Sequence, residues 1–236
     1  MRIAVISDIH SNLLALKAVL EDIKKRGVDI TVCTGDLVGY CTYPNEVIEL
    51  LREKNILTIM GNYDDAVGYE KFICGCDYPD PKDMENASIS LNYTIETVTE
   101  ENKRFLRELP LEMVLKFEGK NIMFVHGSPR RINEYLKENS KEAEEVMGEF
   151  KYDALVCGHT HIPYVKKYKD KYLINAGSVG KPKNGSPNAN YIIINVGEEL
   201  DVEIHSVPYN YETVAEEILK NGLPEKFAEN IRTGKA

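Results

Sequence analysis

Short apolar runs alternate with helix-spaced aliphatic residues in the N-terminal segment, and this alternation restricts the chain to a parallel-stranded α/β arrangement. Ile3–Ile6 is the kind of run shown by a strand buried on both faces. Leu13, Leu16, Leu20 and Ile23 then recur at helical spacing, and Gly27 supplies a C-terminal stop. Ile30–Cys33 is a second strand. Pro44 opens a second helix with Val47, Leu50 and Leu51 inward, and Ile56–Met60 is a third strand. A βαβαβ pattern predicts a parallel sheet with right-handed crossovers.

The middle of the chain changes character. Ala66–Pro81 has no clear period, and helices are predicted near Asp83–Thr97 and over Glu100–Leu109, the second capped by Thr99 and stopped by Pro110. Residues 66–109 read as a helical cap over the sheet. Strands follow at Met113–Phe117 and Ile122–Val125, flanking Glu118-Gly119-Lys120-Asn121, then a helix over Asn139–Phe150 and a buried strand at Ala154–Cys157. Hairpins are predicted from Tyr164–Tyr168 with Tyr172–Asn175, and from Tyr191–Val196 with Leu200–Ser206. The tail, residues 209–236, reads as one or two short helices on the outside. At 236 residues the chain fits a single domain, 1–236, carrying these two elaborations.

Charge narrows the partners. The net charge of −9 disfavours nucleic acid, whose binding draws on cationic side chains, and leaves small phosphate esters open. Five scattered cysteines, a Met1 that runs straight into a strand and no apolar stretch of about 20 residues predict a cytoplasmic chain without a membrane segment. Cys74-Gly75-Cys76 lacks two further ligands nearby and reads as a loop. Oligomeric state is not encoded in any pattern found.

The polar residues fall at strand ends. Asp8 and His10 follow the first strand, Asp36 the second, Asn62 the third, His126 the run Ile122–Val125, and His159 and His161 the run Ala154–Cys157. Ligands of open α/β sheets bind outside the carboxyl ends of the strands. Four of the five histidines sit there, and His205 does not. Asp-x-His and His-x-His put two side chains on one side of an extended backbone. Carboxylate plus imidazole without thiolate favours two divalent transition-metal ions, Mn, Fe, Co, Ni or Zn, with Asp36 the candidate bridge. Such a cationic centre suits a phosphate ester.

Asp8-Ile9-His10-Ser11-Asn12, Gly35-Asp36-Leu37-Val38-Gly39, Gly61-Asn62-Tyr63-Asp64, Val125-His126-Gly127-Ser128 and Gly158-His159-Thr160-His161 resemble, in order, the five blocks of the calcineurin-like metallophosphoesterases. Asn175–Pro182 resembles a further stretch of their small prokaryotic phosphodiesterase and phosphatase branch, so the similarity runs from Met1 to about Val196 without the cap and tail. The resemblance implies a four-layer α/β/β/α sandwich of two mixed sheets. It implies one metal held by Asp8, His10, Asp36 and His161, a second held by Asp36, Asn62, His126 and His159, and in-line attack by a bridging hydroxide. The family's third block usually reads Gly-Asn-His-Asp, and its His protonates the leaving oxygen. Here Tyr63 stands in that place beside Asp64, which would orient a leaving-group acid. A phenol, with a pKa of about 10, donates a hydrogen bond but is a poor general acid at neutral pH.

Arg130, Arg131 and Lys181 follow motif blocks; Arg130 and Lys181 are the candidate phosphate clamps. Tyr40 and Tyr43 follow Asp36 and could flank a substrate. Ser11 and Asn12 are expected to cap the first helix. The expectation is therefore a metal-dependent phosphodiesterase or phosphatase. The alternative is a catalytically weak binding scaffold on the same fold, favoured only by Tyr63. A receiver-like phosphoacceptor would give the later histidines no work.

Overall fold

The computed structural model describes residues 1–77 and 80–235; residues 78 and 79 of the predicted cap and 236 of the predicted tail lie outside the described residues. Strands β1 (Arg2–Ile6), β2 (Ile30–Cys33) and β3 (Leu57–Thr58) are parallel, with Ile3 opposite Ile30 and Val32 opposite Leu57. On the other side of β1 lie β9 (Ala189–Val196) and then β10 (Leu200–Val207), both pairings antiparallel. A second sheet is built from β4 (Glu112–Phe117), β5 (Lys120–Val125), β6 (Ala154–Cys157), β7 (Tyr164–Tyr168) and β8 (Lys171–Asn175). Its order is β4-β5-β6-β8-β7, parallel in the centre and antiparallel at both edges.

Strand side chains alternate between faces, and that period assigns the layers. Ile3, Val5, Val32 and Ile194 meet Ile122, Phe124, Val156 and Ile174 in an apolar layer between the sheets. The intervening Ala4, Ile6, Cys33 and Ile193 face α1 (Leu13–Arg26) and α2 (Pro44–Glu53). On the far face of the second sheet, Met123, Val125 and Leu155 pack on α6 (Lys141–Glu149). The result is the α/β/β/α sandwich of two mixed five-stranded sheets. Truncating Phe124, fully buried between the sheets, would cost about 3–5 kcal/mol.

Local chemistry explains most boundaries. The Asn12 carboxamide accepts the Ala15 N–H, and Gly27 closes α1 at φ 63°, a conformation that favours glycine. The third strand is shorter than predicted, because the Met60 N–H leaves the sheet for the Pro110 carbonyl. A helix that the apolar pattern does not announce, α3 (Asn62–Gly68), follows at once. α4 (Pro81–Thr97) and α5 (Glu100–Glu108) come next, and Leu91, Val98 and Leu106 join the core shared by α1 and α2. The tail helices α7 (Tyr211–Lys220) and α8 (Glu225–Thr233) keep Glu212, Glu216, Glu225 and Glu229 exposed and bury Val214, Ile218, Phe227 and Ile231 in the same core. No helix among the described residues is long and apolar enough to cross a membrane.

Candidate metal centre

The loops after β1, β2, β3, β5 and β6 converge where the two sheets share a rim. Asp8, His10, Asp36, Asn62, His126, His159 and His161 come together there, each at most 5% exposed. Ligand atoms of Asp8, His10 and His161 lie within 4.8 Å of one another, as do those of Asp36, His126 and His159. Asp36 Oδ2 is 3.7 Å from His10 Nε2 and 3.4 Å from His126 Nε2, so it stands between the groups.

Hydrogen bonds decide which atoms face inward. Nδ1 of His10, His126 and His161 lies 3.0, 2.8 and 2.5 Å from the carbonyls of Val38, Thr34 and Lys181. A carbonyl only accepts, so each Nδ1 carries the proton and each Nε2 presents a lone pair. His159 is turned the other way, with Nε2 donating to Asn133 O at 3.2 Å and Nδ1 left for the site. The Asn62 amide donates to Cys74 O and Cys76 Sγ, which aims its Oδ1 at His126 Nε2, 3.0 Å away. Wherever the rings are neutral, acceptor therefore meets acceptor. His10 Nε2 and His161 Nε2 are 3.3 Å apart, and His161 Nε2 is 3.2 Å from Asp8 Oδ1, a buried oxygen with no hydrogen-bond partner among the described residues. Converging lone pairs repel unless a cation lies between them, so this donor set fits metal ions.

Protonation tells the same story. Burial drives His10 and His159 down to about 3 and His161 well below its usual value, leaving them neutral. Burial opposes charge on His126 too, yet Asp36 overrides it and raises the imidazole to about 10. Burial likewise works to raise Asp36, but His126 and His10 hold its carboxyl well below the usual range. Positive charge is favoured between Asp36 and His126, where a proton and a dication would compete.

The backbone is not the extended one predicted for Asp-x-His and His-x-His. Asp8, His10, Asp36, His159 and His161 adopt φ between 49° and 61°, a left-handed conformation uncommon outside glycine. Alternate left-handed residues, not a strand's pleat, place both side chains of each pair on one side. That strain is held by neighbours. Asp64 Oδ2 accepts the Asp36 and Gly61 N–H groups at 2.8 and 2.9 Å, and its Oδ1 accepts that of Leu37 at 2.8 Å. Burial, then Asp36, raises this carboxyl to about 7, against the pull of those N–H bonds. Ser11 does not cap α1; its hydroxyl accepts the Gly39 N–H at 3.0 Å and ties two ligand loops together. Gly158 must lack a side chain, since a Cβ there would lie 2.0 Å from Ser7 Oγ and 2.5 Å from Asp8 Oδ2.

A cavity of about 290 Å³ opens over the ligands, lined also by Tyr40, Tyr63, Tyr135, Cys76 and Lys181. Lys181 is 7% exposed with its ammonium 4.6 Å from the Tyr40 ring centre; burial, then Lys183, lowers it to about 7. Tyr63 is fully buried, its hydroxyl without a hydrogen-bond partner among the described residues, and burial keeps its pKa well above the ordinary value. Other predicted residues are elsewhere. Arg130, which does not line the cavity, pairs with Glu134 and Glu145; Arg131 pairs with Glu134; Tyr43 donates to Glu217 at 2.6 Å. Asp64 lies under the ligand loops and not on the cavity wall. Sequence reasoning missed Tyr135, stacked on His159 with ring centres 4.0 Å apart, and Lys226, Phe227 and Asn230 of α8. No spacing signals them, because only the folded chain brings them to the rim.

The calcineurin-like phosphoesterase superfamily domain matches residues 1–199, which include every ligand loop. The chain belongs to this superfamily. Among relatives found by comparison, an uncharacterized protein of Methanocaldococcus jannaschii is 40% identical, covering 99% of this chain and 98% of its own. The Escherichia coli phosphodiesterase YfcE is 26% identical, over 79% of this chain and 84% of its own. The crystal structure of a metallophosphoesterase from Sphaerobacter thermophilus superposes with a TM-score of 0.82 at 29% identity, covering 99% of both chains.

Proposed function

We propose that the chain hydrolyses small phosphate esters with two divalent transition-metal ions, and that it does so in a reducing cytosol. The observation that carries this reading is the convergence of imidazole and carboxylate lone pairs with Asp36 between the two groups. Asp8, His10, Asp36 and His161 would hold one ion, and Asp36, Asn62, His126 and His159 the other. When bound, the ions would activate a water for in-line attack and neutralise the phosphoryl oxygens. Imidazole donors favour Mn, Fe, Co, Ni or Zn over Mg. Five cysteines, none in a disulfide, suit the compartment.

The chain's own residues would then position the ester. Lys181 reaches into the cavity and would pair with an anionic oxygen of the substrate, whereas Arg130 is engaged by Glu134 and Glu145. Tyr63, buried and reluctant to ionise, would donate a hydrogen bond and not a proton, which favours esters whose leaving groups need no protonation. The name phosphodiesterase given to YfcE supports testing diesters as well as monoesters. The test is turnover of p-nitrophenyl phosphate and its bis-ester after chelation and reloading. Mn, Co or Ni should restore activity better than Mg. A protein that holds no transition metal, or is fully active in Mg alone, would contradict the proposal.

A further inference from the structure

We infer that Lys181 and Lys183 form a second anion subsite, so that the substrate is a phosphoester carrying another anionic group beside the scissile phosphate. This rests on the phosphoesterase reading of the same cavity. Both lysines line it, and neither has an ion-pair or hydrogen-bond partner for its ammonium among the described residues. The carboxylates on the same wall supply no partner: Asp83 is paired with Lys226, and neither Asp36 nor Asp77 makes an ion pair with either lysine among the described residues.

The Lys-Pro-Lys segment is built against the metal ligands. The Lys181 carbonyl accepts from His161 Nδ1 at 2.5 Å, and the Lys183 N–H donates to the His161 carbonyl at 3.2 Å. The Lys181 N–H is fixed in turn on Ser178 Oγ at 2.8 Å. Two backbone bonds to one ligand hold both ammonium stems beside the centre. Charge then indicates what they bind. Two dications offset by Asp8, Asp36 and a bridging hydroxide leave about one positive charge, and the two ammonium groups bring it to about three, one more than a monoester dianion balances. That excess matches a further anionic group on the substrate, a carboxylate or a second phosphate.

The probes are phosphonates, which the enzyme cannot hydrolyse: phenylphosphonate, para-carboxyphenylphosphonate and para-phenylenediphosphonate, titrated calorimetrically into the Mn-loaded protein. At least one doubly anionic probe should bind about tenfold more tightly than phenylphosphonate, as expected for one desolvated charge-assisted contact. The larger of the two ratios identifies the second group as carboxylate or phosphate. Lys183→Gln should bring the ratio close to one, and Lys183→Arg should keep it. A wild-type ratio near one, or a ratio unchanged in Lys183→Gln, overturns the subsite while phenylphosphonate binding still supports the metal centre. A protein that takes up no metal and binds none of the probes overturns both readings.

Discussion

Replacing Asp64 by asparagine separates a positioning residue from a catalytic one. Its carboxylate accepts three buried N–H groups, from Asp36, Leu37 and Gly61. A carboxamide keeps the shape but has one accepting atom in place of two. In the better orientation its oxygen serves Asp36 and Gly61, and its NH2 group faces the Leu37 N–H. One buried donor is then orphaned, at about 1–3 kcal/mol. For a chain of this size each kcal/mol moves the midpoint by about 2–4 °C, so Asp64→Asn should melt about 2–12 °C lower. Asp64→Ala orphans all three donors and should cost about 3–9 kcal/mol, a large part of a typical 5–15 kcal/mol stability. Because Asp36 shifts with its own N–H, Mn content after reloading should fall in both variants. Circular dichroism melts and elemental analysis measure the two effects. As a control, Glu85→Gln, which breaks an exposed pair with Lys82, should move the midpoint by about 1 °C or less. An Asp64→Asn protein that melts within 1 °C of wild type and retains full metal would refute the reasoning.

Three further outcomes are expected. Asp36→Asn should lose both metals and all turnover, whereas His205→Asn, on β10 against Tyr191 and Glu203, should keep both; equal metal content in the two would count against Asp36 as the bridge. Tyr63→Phe removes a buried hydroxyl that lacks a partner, so stability should hold or rise by about 1 kcal/mol and aryl phosphate turnover should barely change. A tenfold loss of rate on alkyl esters with aryl esters unaffected would instead make Tyr63 the acid. Gly158→Ala should cost about 1–3 kcal/mol and lower metal content, since its Cβ would overlap Ser7 and the Asp8 carboxylate; a stable, fully loaded variant would show that this loop yields.

The donor types and their order along the chain were determined by sequence alone. A buried parallel strand must end at a rim, so the polar residue after each apolar run is placed there before any tertiary contact is known. Asp8, His10, Asp36, Asn62, His126, His159 and His161 could be read in that way, whereas the four layers followed only from the family resemblance, because a run apolar on both faces does not say what covers each face. Tertiary structure decided what depends on chain segments far apart in sequence. The tautomer of His10 is set by Val38, that of His126 by Thr34 and that of His161 by Lys181. Arg130 is drawn from the cavity by Glu134 and Glu145, and Asp64 serves the backbone of the Asp36 loop. The left-handed candidate ligand residues and the short β3 share this origin. Local propensity opposes or does not specify them, and distant hydrogen bonds and packing outweigh it once the two sheets close on one another.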